Sequence, residues 1–310
     1  MATELFSNLN PAQIEATRTV DGPLLIVAGP GSGKTRVITH RIAYLINGCS
    51  VDPNRIVAVT FTNKAAREMR ARLDNLLGGL SQGVTCKTFH SLCVSILREN
   101  GKKIGLDSRF VIYDDDDKSS LLKRAMEEAN IDPRQYPIRA IGSAISDAKS
   151  NLLDPQAFAL SRSNSYYDEI VLRVYERYES LKSNMGALDF DDLVTQTVGL
   201  LRRVPEVREA YQERYLHLLI DEFQDTNHSQ YALSRLLADK HRNICVVGDP
   251  DQSIYAWRNA DVGNILSFQN NYPDSKVINL GENYRSTKNI VEAAKHVISP
   301  NRNRLSNELF

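Results

Sequence analysis

Six apolar runs of strand length recur along this chain, each closed by a turn signal: LLIVAG (24–29), RIVAVTFT (55–62), VTCKTF (84–89), LHLLID (216–221), NICVVGD (243–249) and SKVINL (275–280). They are rich in Val, Ile and Leu and do not alternate apolar with polar residues. A strand with one wet face alternates, whereas a strand covered on both faces reads as a continuous apolar run. Helical periodicity fills the intervals, as in NKAAREMRARLDNLL after the second run and HSQYALSRLLADK after the fourth. Parallel strands need a crossover and a helix is the usual one, so the expected fold class is α/β with a parallel sheet.

The rhythm breaks once. Between Thr88 and Leu216 the patterns are mainly helical, YYDEIVLRVYERYESLKSN among them, and the stretch is too long for a loop in a compact domain. It is read as an all-helical subdomain over 109–192, inserted into an α/β domain formed by 1–108 and 193–280. The acidic run at 114–117 is expected to be a solvated loop whose last residue, Asp117, caps a helix starting near Lys118, rather than a metal site. Asp189 in LDFDDLV is expected to cap the next helix in the same way.

Charge does not select a partner. The 310 residues carry 38 basic and 38 acidic side chains; residues 1–100 hold 11 and 7, and residues 101–200 hold 13 and 17. Any nucleic-acid site must therefore be local. Cys49, Cys86, Cys93 and Cys245 form no C-x-x-C pair and no zinc spacing, and are expected to be buried, reduced thiols of a cytosolic protein. The N-terminus MATELFSNLNPAQ lacks the basic-then-apolar order of a secretory signal, and no apolar run approaches membrane-spanning length. A cytoplasmic protein without a membrane partner is expected.

The chemistry begins at AGPGSGKT, 28–35, which follows the first apolar run and precedes the helical RVITHRIAYLI. Strand, glycine-rich loop and helix in that order make a phosphate-binding loop. Gly29, Gly31 and Gly33 permit unusual dihedrals, so that backbone N–H groups, that of Ser32 included, converge on phosphate oxygens. Lys34 would set its ammonium on the β- and γ-phosphates, and Thr35 its hydroxyl on Mg2+. Ala28 stands where the usual pattern has its first glycine. Such a loop needs an acidic strand end, and LHLLIDEFQD supplies Asp221 to hold Mg2+ and Glu222 to orient and deprotonate a water. ATP with Mg2+ is the expected cofactor pair, and NTP hydrolysis the expected reaction.

A second stretch mixes two chemistries. GDPDQSIYAWRNA, 248–260, carries Asp249, Asp251 and Gln252, suited to phosphate or metal, then Tyr255, Trp257 and Arg258, suited to flat partners such as bases. Placing both within thirteen residues suggests that two binding events are coupled. A tryptophan is usually largely buried, so a core position for Trp257 is the competing expectation.

The set LNPAQ, AGPGSGKT, VTFTNKAAREM, TFHSLC, LLIDEFQDTN, VVGDPDQSIYAWRNA and NYRST, in this order from Leu9 to Thr287, resembles the superfamily 1A DNA helicases of the UvrD/Rep type. The resemblance implies a RecA-like domain with a helical insert. It also implies that Gln13 reads the adenine edge, that Arg36 and Tyr284 stack on the adenine faces, and that Arg285 and Gln252 contact the γ-phosphate. Tyr255 and Trp257 would hold bases of single-stranded DNA, with Phe61, Asn63 and His90 completing the track and Arg258 pairing with a phosphate or with the metal-site acids. Lys64, Arg67 and Arg70 recur every three residues and either flank DNA or form a solvated helix face. The implied activity is ATP-dependent 3′-to-5′ translocation and unwinding in repair or replication, acting on single-stranded DNA and 3′-tailed duplexes and alongside repair or replication proteins. An ATP-gated single-strand-binding module that never unwinds is the alternative. A P-loop ATPase acting on small molecules or proteins would leave the aromatic segment and TFHS without a role. Residues 281–310 would open a second RecA-like domain, whose arginine completes such sites, so this chain alone is expected to turn over ATP slowly.

Overall fold

The computed structural model describes residues 5–161 and 165–301, apart from the side chain of Arg258. Its strands are β1 (Leu24–Ala28), β2 (Ile56–Thr60), β3 (Thr85–Thr88), β4 (Val111–Tyr113), β5 (Ala187–Asp189), β6 (His217–Ile220), β7 (Ile244–Gly248) and β8 (Lys276–Leu280). The six apolar runs all become strands of one sheet, in the order β3-β2-β6-β7-β1-β8. Every neighbouring pair in it runs parallel. The fold is α/β and RecA-like. Every residue of β1, β2, β6 and β7 is buried, as continuous apolar runs require. The expectation of burial on both faces does not hold for β3 and β8, which are partly exposed because they are the sheet edges.

Chain contacts define two compact units. An α/β unit comprises the chain up to Phe89, Arg208–Thr226 and the chain from Ser234 onward; a helical unit comprises His90–Val207 and Asn227–Leu233. The helical unit is thus wider than the expected 109–192. The reason is that the helix Phe190–Arg203 packs on Ile138–Ser150, and Cys93 on the helix Phe89–Asn100 hydrogen-bonds Thr197. Residues 281–301, expected to open a further domain, group with the α/β unit, and residues 302–310 lie outside the described residues.

In the α/β unit, Leu24, Ile26, Ile56, Ala58, Leu219, Cys245 and Val247 face helical residues Val37, Ile38, Ile42, Leu45, Met69 and Leu73 in one core. Each Leu, Ile, Val or Met side chain among them contributes about 1.5–3 kcal/mol on burial. The helix Asn63–Leu77 shows why these residues are helical. Thr62 caps its start by accepting from Ala65 N at 3.1 Å, Met69, Leu73 and Leu77 lie one turn apart on the buried face, and Gly78 at φ +57° ends it. Buried Arg41, on the helix Lys34–Asn47, donates to the carbonyls of Ala16, Thr19 and Val20 and so ties down the helix Pro11–Arg18.

The helical unit contains a parallel two-stranded pair, β4 with β5, that periodicity did not announce; three residues per strand are too few to show a period. The acidic run is corrected in detail. Asp114, not Asp117, is the N-cap, and Asp115–Asp117 form the first turn of the helix Asp115–Glu128. Asp189 does cap the helix Phe190–Arg203, accepting from Asp192 N at 2.9 Å. Of the cysteines, Cys93 and Cys245 are buried but Cys49 is exposed and Cys86 intermediate, so burial holds for only two; all four are free. No helix among the described residues is long and apolar enough to cross a membrane.

Asp189 also belongs to a charge cluster whose members are buried except for the partly exposed Glu179. Lys149 Nζ lies 2.7 Å from Asp189 and from Asp192 and 2.8 Å from Glu179, while Lys182 Nζ lies 2.5 Å from Asp192 and 2.6 Å from Glu179. The Tyr178 hydroxyl donates to Asp189 at 2.8 Å. Burial disfavours all of these charges; against it, the two lysines hold the Asp189 carboxyl well below its usual value. Burial dominates for Asp192, which rises to about 6. Among the described residues these acids are the one group of three or more His, Cys, Asp or Glu side chains whose ligand atoms are spaced for a metal, but two ammoniums already occupy it. Removing one partner strands the opposite charges. Lys149→Met is expected to destabilise the protein by about 3–5 kcal/mol, read from denaturant unfolding of the helical unit.

Candidate nucleotide site

Parallel strands deliver the loops that follow them to one edge of the sheet, the carboxyl edge where α/β proteins bind ligands. The loop after β1 holds Gly29–Gly33; β6 is followed by Asp221 and Glu222, β7 by Asp249 and Gln252, and β8 by Glu282–Arg285. Gly31 at φ +70° and Gly33 at φ +88° use the left-handed region that glycine alone enters freely. Gly29 does not show a positive φ; its carbonyl instead accepts the Ser32 hydroxyl at 2.7 Å. Gly33 is the N-cap of the helix Lys34–Asn47 and supplies no side chain to its first N–H groups. An uncapped helix N-terminus is an anion-binding end.

Lys34 and Thr35 begin that helix and meet the acids after β6. The Lys34 ammonium is 3.6 Å from Glu222 Oε2, and the Thr35 hydroxyl is 3.4 Å from Asp221 Oδ2. Burial, and then the charge of Glu222, pushes the Asp221 carboxyl up to about 7. Asp225 rises to about 6 for the same two reasons, and its Oδ1 is buried without a hydrogen-bond partner. These oxygens are desolvated and short of positive charge, a donor set that fits a hard divalent cation at Thr35 and Asp221. A cavity of about 290 Å³ opens there, lined by Gly31–Arg36, Arg72, Glu222, Gln252, Tyr284 and Arg285. Gln13 is 1% exposed; its Nε2 donates to Ser32 O at 2.9 Å and its Oε1 accepts from Asn10 N at 3.1 Å. These bonds hold the carboxamide against the phosphate-loop backbone.

Gln224, fully buried, joins the acids after β6 to the segment after β7. Its Nε2 donates to Glu222 Oε2 at 2.9 Å, and its Oε1 accepts from Asp249 N at 3.0 Å. Asp249 in turn accepts from Gln252 Nε2 at 2.6 Å. Five residues beyond Gln252, the Trp257 ring is 70% exposed, which removes the core-tryptophan alternative. Tyr255 stacks on Phe61 with centroids 5.5 Å apart at 25°, and lies 6.2 Å from Trp257. The three aromatics thus form one patch. Asn63 is exposed at its helix start. His90 belongs to the helical unit, edge-on to Phe190 at 5.7 Å, its pKa lowered by burial. The Arg258 side chain lies outside the described residues. Arg70 belongs neither to a free basic face nor to a DNA-flanking row, because its guanidinium donates to the carbonyls of Ser81 and Val84; Lys64 and Arg67 are exposed.

Four site residues have no role that their local sequence announces: Arg72 on the cavity wall, and Asn10, Gln224 and Asn283, which lie inside the quoted motifs. Asn283 donates to Pro30 O at 2.5 Å. The closeness of that segment generates a prediction. A Cβ on Gly31 would lie 2.6 Å from Arg285 Cβ. Gly31→Ala is expected to lower stability by about 1–3 kcal/mol through clash and left-handed strain, measured as a drop in the thermal midpoint.

The family model described as UvrD/REP helicase N-terminal domain matches residues 9–273. The chain is 50% identical over 300 residues to the ATP-dependent DNA helicase PcrA of Staphylococcus epidermidis, covering 97% of this chain and 41% of that protein. It is 49% identical over 310 residues to the PcrA of Bacillus subtilis, covering 100% and 42%, and 48% identical over 300 residues to that of Staphylococcus aureus, covering 97% and 41%. The chain thus spans about two-fifths of the length of these relatives. With that model matching most of its length, the chain belongs to the UvrD/REP helicase N-terminal domain family.

Proposed function

We propose that this chain is the ATP-binding motor half of a DNA helicase that moves 3′ to 5′ along single-stranded DNA and opens duplexes in repair or replication. The observation that carries the reading is the meeting of Lys34 with Glu222 and of Thr35 with buried Asp221 at a cavity beside an uncapped helix N-terminus. ATP would place its phosphates on the backbone of Gly29–Gly33, and Lys34 would leave Glu222 for the β- and γ-phosphates. Glu222, so released, would take the proton of the attacking water. Thr35 and Asp221 would hold Mg2+, which when bound neutralises charge on the phosphate oxygens. Gln252 and Arg285 would face the γ-phosphate, and Arg36, Tyr284 and Gln13 the base.

Phe61, Tyr255 and Trp257 would stack on bases, an interaction indifferent to sequence and so suited to translocation. Asn63 and Arg258 would contact the strand. The Gln224–Asp249–Gln252 chain supports coupling between the two ligands, since it hydrogen-bonds Glu222 on one side and anchors the base-holding segment on the other. Residues 281–301 would lead into a second RecA-like domain that supplies an arginine worth about 10³–10⁵ in turnover, so the chain alone would hydrolyse ATP near background.

The test is steady-state ATPase activity with and without single-stranded DNA, with strand displacement of a 3′-tailed duplex. Both are run on this chain and on this chain joined to the remaining length of its relatives. DNA-stimulated turnover and unwinding by the longer protein alone is the expected result, while nucleotide-dependent DNA binding without unwinding in both would favour the gated binding module. In the longer protein, Glu222→Gln is expected to keep ATP binding and lose hydrolysis, because an amide cannot accept the water's proton. Equal loss of binding and turnover would make Glu222 structural. Trp257→Ala is expected to weaken single-strand binding by about 1–3 kcal/mol with little change in thermal midpoint, measured by fluorescence anisotropy.

A further inference from the structure

We propose that Glu282 is a positioning residue for the nucleotide base, which together with Asn10 pins the Tyr284 ring so that the base pocket is formed before nucleotide arrives. The inference rests on the nucleotide-site reading above and adds to it a residue outside the phosphate loop and the strand-end acids. Tyr284 is 53% exposed, so packing alone does not fix its ring. Hydrogen bonds at both ends do. At the near end, Tyr284 N donates to Gly31 O at 3.0 Å, and Asn283 clasps the same loop through Pro30 O while accepting from Arg285 N at 2.9 Å and Ser286 N at 2.8 Å. At the far end, the Tyr284 hydroxyl donates to Glu282 Oε2 at 2.7 Å and accepts from Asn10 Nδ2 at 2.9 Å. Asn10 Nδ2 closes the triangle by donating to Glu282 Oε2 at 3.0 Å.

The donor count closes. One phenolic hydrogen and the two hydrogens of the Asn10 amide make the three bonds, and two of them end on a carboxylate, the stronger kind of acceptor. Asn10 is itself immobile, because its Oδ1 caps the helix Pro11–Arg18 by accepting from Gln13 N at 2.8 Å, and Gln13 is bonded to Ser32 O. The ring that would stack on the base is thereby tied to the loop that would hold the phosphates. Ordering a loose aromatic ring on binding costs affinity, and a pinned ring avoids that cost. Glu282 would touch neither phosphate nor base, so its effect should appear only in ligands that carry a base.

The experiment measures Mg2+-dependent binding of ATP and of inorganic tripolyphosphate to this chain by calorimetry. Glu282→Ala is expected to weaken ATP about three- to tenfold, the worth of a hydrogen bond, while changing tripolyphosphate by less than about twofold. Tyr284→Phe, which keeps the ring and loses the hydroxyl, should match it. The double variant should be no weaker than the worse single one, since both remove the same link. Glu282→Gln, whose amide oxygen still accepts from the hydroxyl, should restore most of the affinity. Unchanged ATP affinity in Glu282→Ala, or equal weakening of both ligands, would overturn the inference while leaving the nucleotide site standing. Failure of the unaltered chain to bind either ligand would overturn the nucleotide-site reading and this inference with it.

Discussion

The direction of the sheet strands is the constraint from which the rest follows. Because β1, β2, β6, β7 and β8 all run the same way, every loop after a strand emerges on one edge, and residues far apart in the chain become neighbours. Thr35 and Asp221, 186 positions apart, meet in this way, and the loop after β8 brings Glu282 to Asn10, 272 positions away. The register is pinned by burial: slipping β1 by one residue would exchange the side chains that fill one core for those that fill the other face. Leu24, Ile26 and Ala28 lie in the core that includes the loop's own helix, so the same packing that stabilises the unit also aims the loop.

The two compact units treat buried charge in opposite ways. In the helical unit, Lys149 and Lys182 satisfy Asp189, Asp192 and Glu179 at hydrogen-bond distance, and the cluster needs nothing more. In the α/β unit, Asp221 and Asp225 are desolvated beside Glu222 with one ammonium among them, and an oxygen of Asp225 has no partner. A saturated cluster holds a fold together. An unsaturated one is costly until a cation arrives, and that cost is what a cation-dependent ligand can relieve on binding.

Much of this was legible in the residues. Six strands, the helices between them and the loop-to-acid pairing follow from apolar runs and from the spacing of glycines, Lys34 and Asp221, because buried strands and phosphate loops leave patterns within a few residues. What escaped depends on contacts that no local pattern encodes. β4 and β5 are too short to show a period. Lys149 and Lys182 look like ordinary surface charges on their helices until the fold brings Asp189 and Asp192 to them. Gln224 sits in plain view between Glu222 and Asp225, yet its importance comes from reaching Asp249 on another strand. The edges of the helical unit are hard to read for the same reason: the helices there carry sequence patterns that fit either unit, and packing groups them.

Glu222 stands at φ +50° and ψ +46°, a backbone conformation in which any residue with a β-carbon is strained by roughly 1–3 kcal/mol. Glycine would relax that turn, and asparagine would suit it better than glutamate does. A screen of variants for heat resistance alone would therefore draw this position away from the carboxylate. An engineer seeking a sturdier form of this chain must hold Glu222 fixed and look for robustness elsewhere, because here the backbone and the proposed chemistry favour different residues.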